Sequence, residues 1–289
     1  MKVCPSVVHA SSPISRSIRT LIPSWHFAES TPMQNHHPMT SVPSIPLGGL
    51  ARGVWTAGGA IGFVVLVMGS TMLATTVAQL AYGAWLDTLD PIDASDFPTA
   101  NGPLVVMSLQ LAAQLLQLAM IWWLAGLWHS DRRAALGIVP VRLDLSDWAG
   151  FIVLLLVVKT VATMIAAGLA PSAAEPETAP YLKLAVMPGV WLLFLVVVTL
   201  AGLTEELLFR GVLSRTLEAT RLGFWIGAGL ASAAFAAMHL QYGVRGQIVI
   251  FAVGMTLAWI RARSGSLWPA VVCHAVNNVL ALAAMRMLA

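Results

Sequence analysis

Charge is what this sequence has least of. Of its 289 residues only 10% are Asp, Glu, Lys or Arg, where soluble domains carry about 25%. With 16 basic and 13 acidic side chains, a water-soluble fold of this length could not cover its own surface. The net charge of +3 is small and the basic residues are scattered, which excludes a nucleic-acid-binding stripe. Cysteine is nearly absent too. Cys4 and Cys273 form neither a disulfide framework nor a CxxC metal site. The chain contains no HExxH zinc motif, and its spans show no internal repeat of the kind that builds many carriers. What fills the space is apolar: 58% of residues are hydrophobic and the mean hydropathy is +0.79. That composition specifies an all-α, polytopic membrane protein.

Residues 1–52 differ from the rest. They are rich in Ser, Pro and His, with four of the seven histidines at His9, His26, His36 and His37. No apolar run is long enough for a signal-peptide core, so this stretch reads as a disordered cytoplasmic tail. Met33 and Met39 are alternative starts. The His36–His37 pair is a conceivable metal ligand, but a solvated tail is the simpler account. From residue 53 the chain becomes a series of apolar runs, each near the roughly 20 residues that cross a bilayer. About seven spans are expected, at 55–85, 104–127, 148–170, 187–204, 222–240, 246–262 and 267–288. With the tail inside, the cytoplasmic segments hold twelve Lys or Arg and the opposite side three, Lys183, Arg245 and Arg286. The bias predicts a cytoplasmic N-terminus and an outer C-terminus. One cation is left over, Lys159, near the centre of the third span.

Where charge is scarce, each polar residue within a span is a functional candidate, because insertion costs about 2.5–3.5 kcal/mol. The run 201–213 reads AGLTEELLFRGVL. Adjacent carboxylates repel, which favours protonation or demands a cation. Arg210 lies four residues after Glu206, on the same helix face, leaving Glu205 about 100° around the helix. The alternative is a helix end at the cytoplasmic interface carrying a simple Glu206–Arg210 surface pair. Phe235 and His239 are likewise four apart, as are His274 and Asn278. Taken alone, a histidine near a span end is more often an interfacial hydrogen-bonder. Asn277 faces elsewhere and suits a bond to a neighbouring helix. Cys273, beside His274 in sequence, does not face it on a helix and is no thiol nucleophile. With a turn near Arg221, Glu205 and His239 both lie roughly 24–27 Å from it, and His274 lies about 13 Å beyond the turn at Gly265. The levels agree if the Arg215–Arg221 end protrudes by about 10 Å, although the apolar residues 222–230 fit such a protrusion poorly.

Glu205-Glu206-x-x-x-Arg210, Phe235-x-x-x-His239 and His274-x-x-x-Asn278, in that order in successive membrane helices, resemble the motifs of the CPBP intramembrane proteases. That family holds the CAAX prenyl endopeptidases and the Abi or bacteriocin-immunity proteins. The resemblance covers about 187–289, with no departure at the motif positions. It divides the chain into a tail at 1–52, accessory membrane helices at 53–186 and a catalytic membrane domain at 187–289. It implies an endopeptidase with Glu205 as base, Glu206 and Arg210 as supports, and His239, His274 and Asn278 completing the site. The chemistry is coherent: hydrolysis needs an activated water and a stabilised oxyanion. If a metal takes part, zinc on Glu205, His239 and His274 with an open position is the expected arrangement; a metal-free mechanism uses the same residues. Lys159 either snorkels along the third helix to an interface or pairs with a site carboxylate, and a structural role is the simpler expectation.

The expected partners are the lipid bilayer and a membrane-associated peptide, prenylated or leader-bearing, with no nucleic acid, in a bacterial plasma membrane. Two rivals remain: an ion-coupled transporter, since buried Glu, Arg and His also build ion pathways, and a non-catalytic immunity or scaffold protein.

Overall fold

The computed structural model describes residues 56–86, 102–171, 187 and 189–288, so the tail at 1–52 lies outside the described residues. Every regular element among the described residues is helical. In chain order these are α1 (Ala57–Leu86), α2 (Gly102–Trp128), a short α3 (Arg132–Ala135), α4 (Leu145–Leu169) and α5 (Val190–Glu206). A π-helical stretch, Leu207–Ser214, continues α5 directly into α6 (Arg215–Glu218). Next come α7 (Gly223–Ala237), a 3-10 turn at Leu240–Tyr242, α8 (Gly243–Ser264) and α9 (Trp268–Leu288).

Six of these helical stretches are long and apolar enough to cross a membrane, and the chain is an integral multi-pass membrane protein. The expected seventh, 222–240, is corrected by the structure. The helix there is Gly223–Ala237, 15 residues, or about 22 Å long, which is short of the bilayer's hydrocarbon thickness. Hydropathy marks apolar residues, not where the helix stops; the chain turns at Met238 and enters the 3-10 turn. The apolar surface of α7 (Trp225, Ile226 and Leu230 are exposed) suits lipid contact, which removes the difficulty of an apolar segment protruding into water. Nor is the end beside it free. Arg215 donates to the carbonyls of Ala134 (3.1 Å) and Ala135 (3.0 Å), while Glu218 is paired with Arg261 and accepts from Ser214. Arg210, counted among the cytoplasmic charges, is buried inside the bundle.

Burial follows the same logic. Val65, Leu73, Leu80, Met164 and Leu169 are exposed, an arrangement that water penalises and hydrocarbon does not. The main buried cluster joins Phe63 and Val67 of α1, Ile121 and Leu124 of α2, Leu208, Phe209 and Val212 of the π-helical stretch, and Phe235 of α7. α2 packs between α1 and α5, α8 packs on α4 and α7, and α9 packs on α5. At the α8–α9 turn, Gly265 ends α8 at φ +70°, a conformation that costs glycine nothing. The next two residues are tied across the bundle: Ser266 Oγ donates to the Val139 carbonyl (2.6 Å) and Leu267 N–H to that of Gly137 (2.9 Å).

The α6–α7 hairpin depends on one small residue. A Cβ on Gly227 would stand 2.6 Å from the Glu218 nitrogen and 2.8 Å from the Leu217 carbonyl carbon. Both neighbours are backbone and cannot swing aside. Gly227→Ala should therefore destabilise the fold by about 1–3 kcal/mol through overpacking, read as a lowered thermal midpoint in detergent. An unchanged midpoint would show that the hairpin can open at no cost.

Candidate functional site

The site is assembled where α5, the π-helical stretch, α7 and α9 meet. Helix α5 delivers the adjacent carboxylates in different environments. Glu206 is fully buried; its Oε1 accepts from Arg210 Nη1 at 2.8 Å and from His274 Nδ1 at 2.9 Å. Glu205, 23% exposed, faces the two imidazoles instead, with Oε2 3.6 Å from His274 Nε2 and Oε1 4.0 Å from His239 Nε2. Helical spacing sets the neighbours about 100° apart, and they meet opposite nitrogens of the one His274 ring.

The wide turn that follows Glu206 is a departure from the regular helix expected there. All eight residues of Leu207–Ser214 are buried, and π-helical geometry inside an α-helix is frequent at functional sites. Gly211 lets this stretch touch the α3 end, since a Cβ there would be 2.8 Å from the Leu136 carbonyl oxygen. Arg210 lies within it, its guanidinium 4.4 Å over the ring of Phe235. The same ring meets Phe209 at 5.2 Å, His239 at 4.8 Å and His274 at 6.0 Å, all edge-on. Phe235 is thus the packing hub of the site, a contact known to stabilise buried cations and aromatic pairs alike.

Chemistry fixes both histidine rings. His239 Nδ1 lies 2.8 Å from the Phe235 carbonyl oxygen, which can only accept, so Nδ1 carries the hydrogen and Nε2 is left facing Glu205. His274 Nδ1 donates to the Glu206 carboxylate, so its Nε2 faces Glu205 as well. Asn278 Nδ2 donates to the Val198 carbonyl at 3.0 Å. Gly202 lies beside them on α5, where a methyl would make ordinary contact with His274 Cγ (3.5 Å) and Asn278 Nδ2 (3.7 Å).

Of the residues singled out from the sequence, the structure brings together Glu205, Glu206, Arg210, His239 and His274, with Asn278 one turn along α9. Asn277 turns toward α4, where its Oδ1 accepts from Lys159 Nζ at 3.0 Å. Cys273 is buried in a separate apolar cluster with Leu155 and Leu257. Sequence reasoning missed Gly254 and Ser232. A Cβ on Gly254 would be 2.9 Å from Arg210 Nη2 and 3.0 Å from Ser232 Cβ, so α8 closes over the buried guanidinium only because that side chain is missing. No local pattern marks either residue.

A zinc ion is the metal that these residue types suggest. The donor set suits it: two imidazole Nε2 atoms whose other nitrogens are held by acceptors, plus a carboxylate. Ligands at roughly 2.0–2.1 Å from a tetrahedral zinc stand about 3.3 Å apart. The contacts here are 3.6 and 4.0 Å, and among the described residues no group of three His, Cys, Asp or Glu stands as a ready metal site.

Residues 187–280 match the family described as type II CAAX prenyl endopeptidase Rce1-like. An Escherichia coli relative, described as an uncharacterized 24.3 kDa protein, is 35% identical over 98 residues. The alignment covers 33% of this chain and 45% of that relative, so the chain spans less than half the relative's length. No solved structure matches the chain.

Proposed function

We propose that residues 187–280, which carry the match to the Rce1-like family, form the catalytic part of an intramembrane endopeptidase that hydrolyses peptide bonds of membrane-associated substrates. One observation carries this reading: Glu205 is met by the Nε2 atoms of two histidines, one just past the end of α7 and one on α9, each ring locked by its opposite nitrogen. A water seated between Glu205 and His239 bridges a contact too long for a direct hydrogen bond. Glu205 takes a proton from that water while His239 Nε2 orients it, and the resulting hydroxide adds to the carbonyl carbon. Asn278, through the Nδ2 hydrogen not given to Val198, and His274, when Nε2 is protonated, donate to the oxyanion; one such donor is worth roughly 2.7–4 kcal/mol. Glu205 then returns its proton to the amide nitrogen as the C–N bond breaks. Glu206 and Arg210 do not react. They hold His274, as the buried acid of a triad holds its histidine.

A zinc ion, when bound by Glu205, His239 and His274, supplies a Lewis acid and a more acidic water. The N-terminus is cytoplasmic, in a bacterial plasma membrane, with substrate entering from the lipid or cytosolic side; prenylated and leader-bearing peptides are the substrates to try first. The test is turnover of such peptides by purified protein in liposomes. His239→Ala should cost on the order of 10²-fold in kcat with the fold intact. Wild-type rates in that variant would overturn the assignment. Chelation in the same assay addresses the ion: loss restored by zinc makes it a cofactor, and unchanged turnover after verified metal removal eliminates it.

A further inference from the structure

Lys159, near the middle of α4, has no part in the proposed chemistry. It lies fourteen residues into α4, about 21 Å from the start of that helix, deep in a segment that is otherwise apolar. A lysine at such a depth ordinarily reaches along its own helix toward water. This one turns sideways to α9, where Nζ donates to Asn277 Oδ1 at 3.0 Å. Asn277 Nδ2 in turn donates to Asn278 Oδ1 at 3.2 Å, and Asn278 Nδ2 donates to the Val198 carbonyl at 3.0 Å.

The direction of this chain is set by its ends. An ammonium has three N–H donors and no acceptor; a backbone carbonyl has only acceptors. With Lys159 at one end, Asn277 must present its oxygen to α4 and its nitrogen to Asn278. With the Val198 carbonyl at the other, Asn278 must present its nitrogen to α5. A carboxamide is otherwise free to exchange its two ends at little cost. Here a flip of either amide would set oxygen against oxygen or nitrogen against ammonium.

We infer that Lys159 is a positioning residue for the peptidase reaction: acting through Asn277, it fixes the amide of Asn278 so that one Nδ2 hydrogen is held by Val198 and the second is kept for the oxyanion. The inference rests on the peptidase reading above and adds to it a residue from outside the 187–280 family match. Without Lys159 the Asn277 amide loses its polarity, and Asn278 spends part of its time with an acceptor aimed at the developing negative charge.

The experiment uses the full chain in liposomes with a cleavable membrane-associated peptide. Lys159→Met keeps the unbranched stem and removes the donors. It should lower kcat by about 10–100-fold with KM nearly unchanged, and Lys159→Arg, still donor-only, should recover most of the loss. In an Asn278→Ala background Lys159→Met should cost nothing further. Asn277→Asp is the sharper variant. It gives Lys159 an ionic partner, so the thermal midpoint should hold or rise, yet it removes the hydrogen offered to Asn278, so kcat should fall as far as in Lys159→Met. A purely structural lysine would leave that variant fully active. Should Lys159→Met fail to fold, Asn277→Asp decides alone. Normal kcat in these variants, or an equal loss in the Asn278→Ala background, overturns the positioning role while Glu205→Gln is still inactive. If Glu205→Gln cleaves like wild type, or wild type cleaves nothing, the peptidase reading falls and takes this inference with it.

Discussion

Glu205→Gln is expected to reduce peptide cleavage by roughly 10²–10⁴-fold, the contribution of a positioned general base, while leaving the protein as stable as wild type. The two halves of that expectation come from the same geometry. Among the described residues the Glu205 carboxylate makes no direct hydrogen bond; its contacts to the imidazoles are 3.6 and 4.0 Å, and it is partly exposed. An amide of the same shape fits that space without stranding a partner, so the fold has little to lose. Water activation, however, needs an atom that can take a proton, and a carboxamide cannot. Single-turnover rates and thermal midpoints measured on one preparation check both halves. Retained cleavage would remove Glu205 from the chemistry. Lost cleavage with a collapsed midpoint would say that Glu205 is structural.

Arg210→Met should do the reverse and unfold the protein first. Arg210 and Glu206 are 1% and 0% exposed and 2.8 Å apart. Removing one partner of a buried pair leaves the other charge uncompensated, at a cost of roughly 3–5 kcal/mol. Of the remaining neighbours only His274 bonds the orphaned Oε1 of Glu206. The guanidinium also stacks on Phe235, so the aromatic hub loosens with it. A lysine does not replace the planar fork. The double variant Glu206→Leu/Arg210→Met separates charge from shape: with both charges gone the fold should recover most of the lost stability. Activity should not return, because His274 has lost the acceptor that fixes its ring. Melting and urea titration in detergent provide the readout. An Arg210→Met midpoint equal to wild type would show that the pair is not the structural centre described above.

The sequence was informative wherever a property is local. Scarce charge and runs of about 20 apolar residues located the spans, and spacing of four placed Glu206 with Arg210 and Phe235 with His239 on shared faces. The length of α7 was not local. Hydropathy extends through Met238 and Leu240, while the helix ends where His239 must turn toward Glu205. The widened helix after Glu206 was not legible either, since nothing in LLFRGVLS announces π geometry and Gly211 acquires its meaning only against Leu136. The least legible contacts join residues far apart in sequence. Lys159 and Asn277 are 118 positions apart, and each alone looks like an isolated polar residue in a greasy helix. Gly254 acts by what it lacks, which a reading of side-chain chemistry passes over.

Arg215 reaches back some eighty residues to the carbonyls of Ala134 and Ala135, while Gly137 and Val139 receive the hydrogens of Leu267 and Ser266. Similarity therefore divides the chain near residue 187, but packing does not; the described residues on both sides of that line belong to one compact unit. A fragment cut at that line would keep Glu205, His239, His274 and Asn278 but lose Lys159, the donor to Asn277. It would also expose the seat of Gly211 and leave the turn that sets α9 against α5 without its anchor. The helices outside the family match are in this sense a brace: they hold the matched part in register through contacts at its ends.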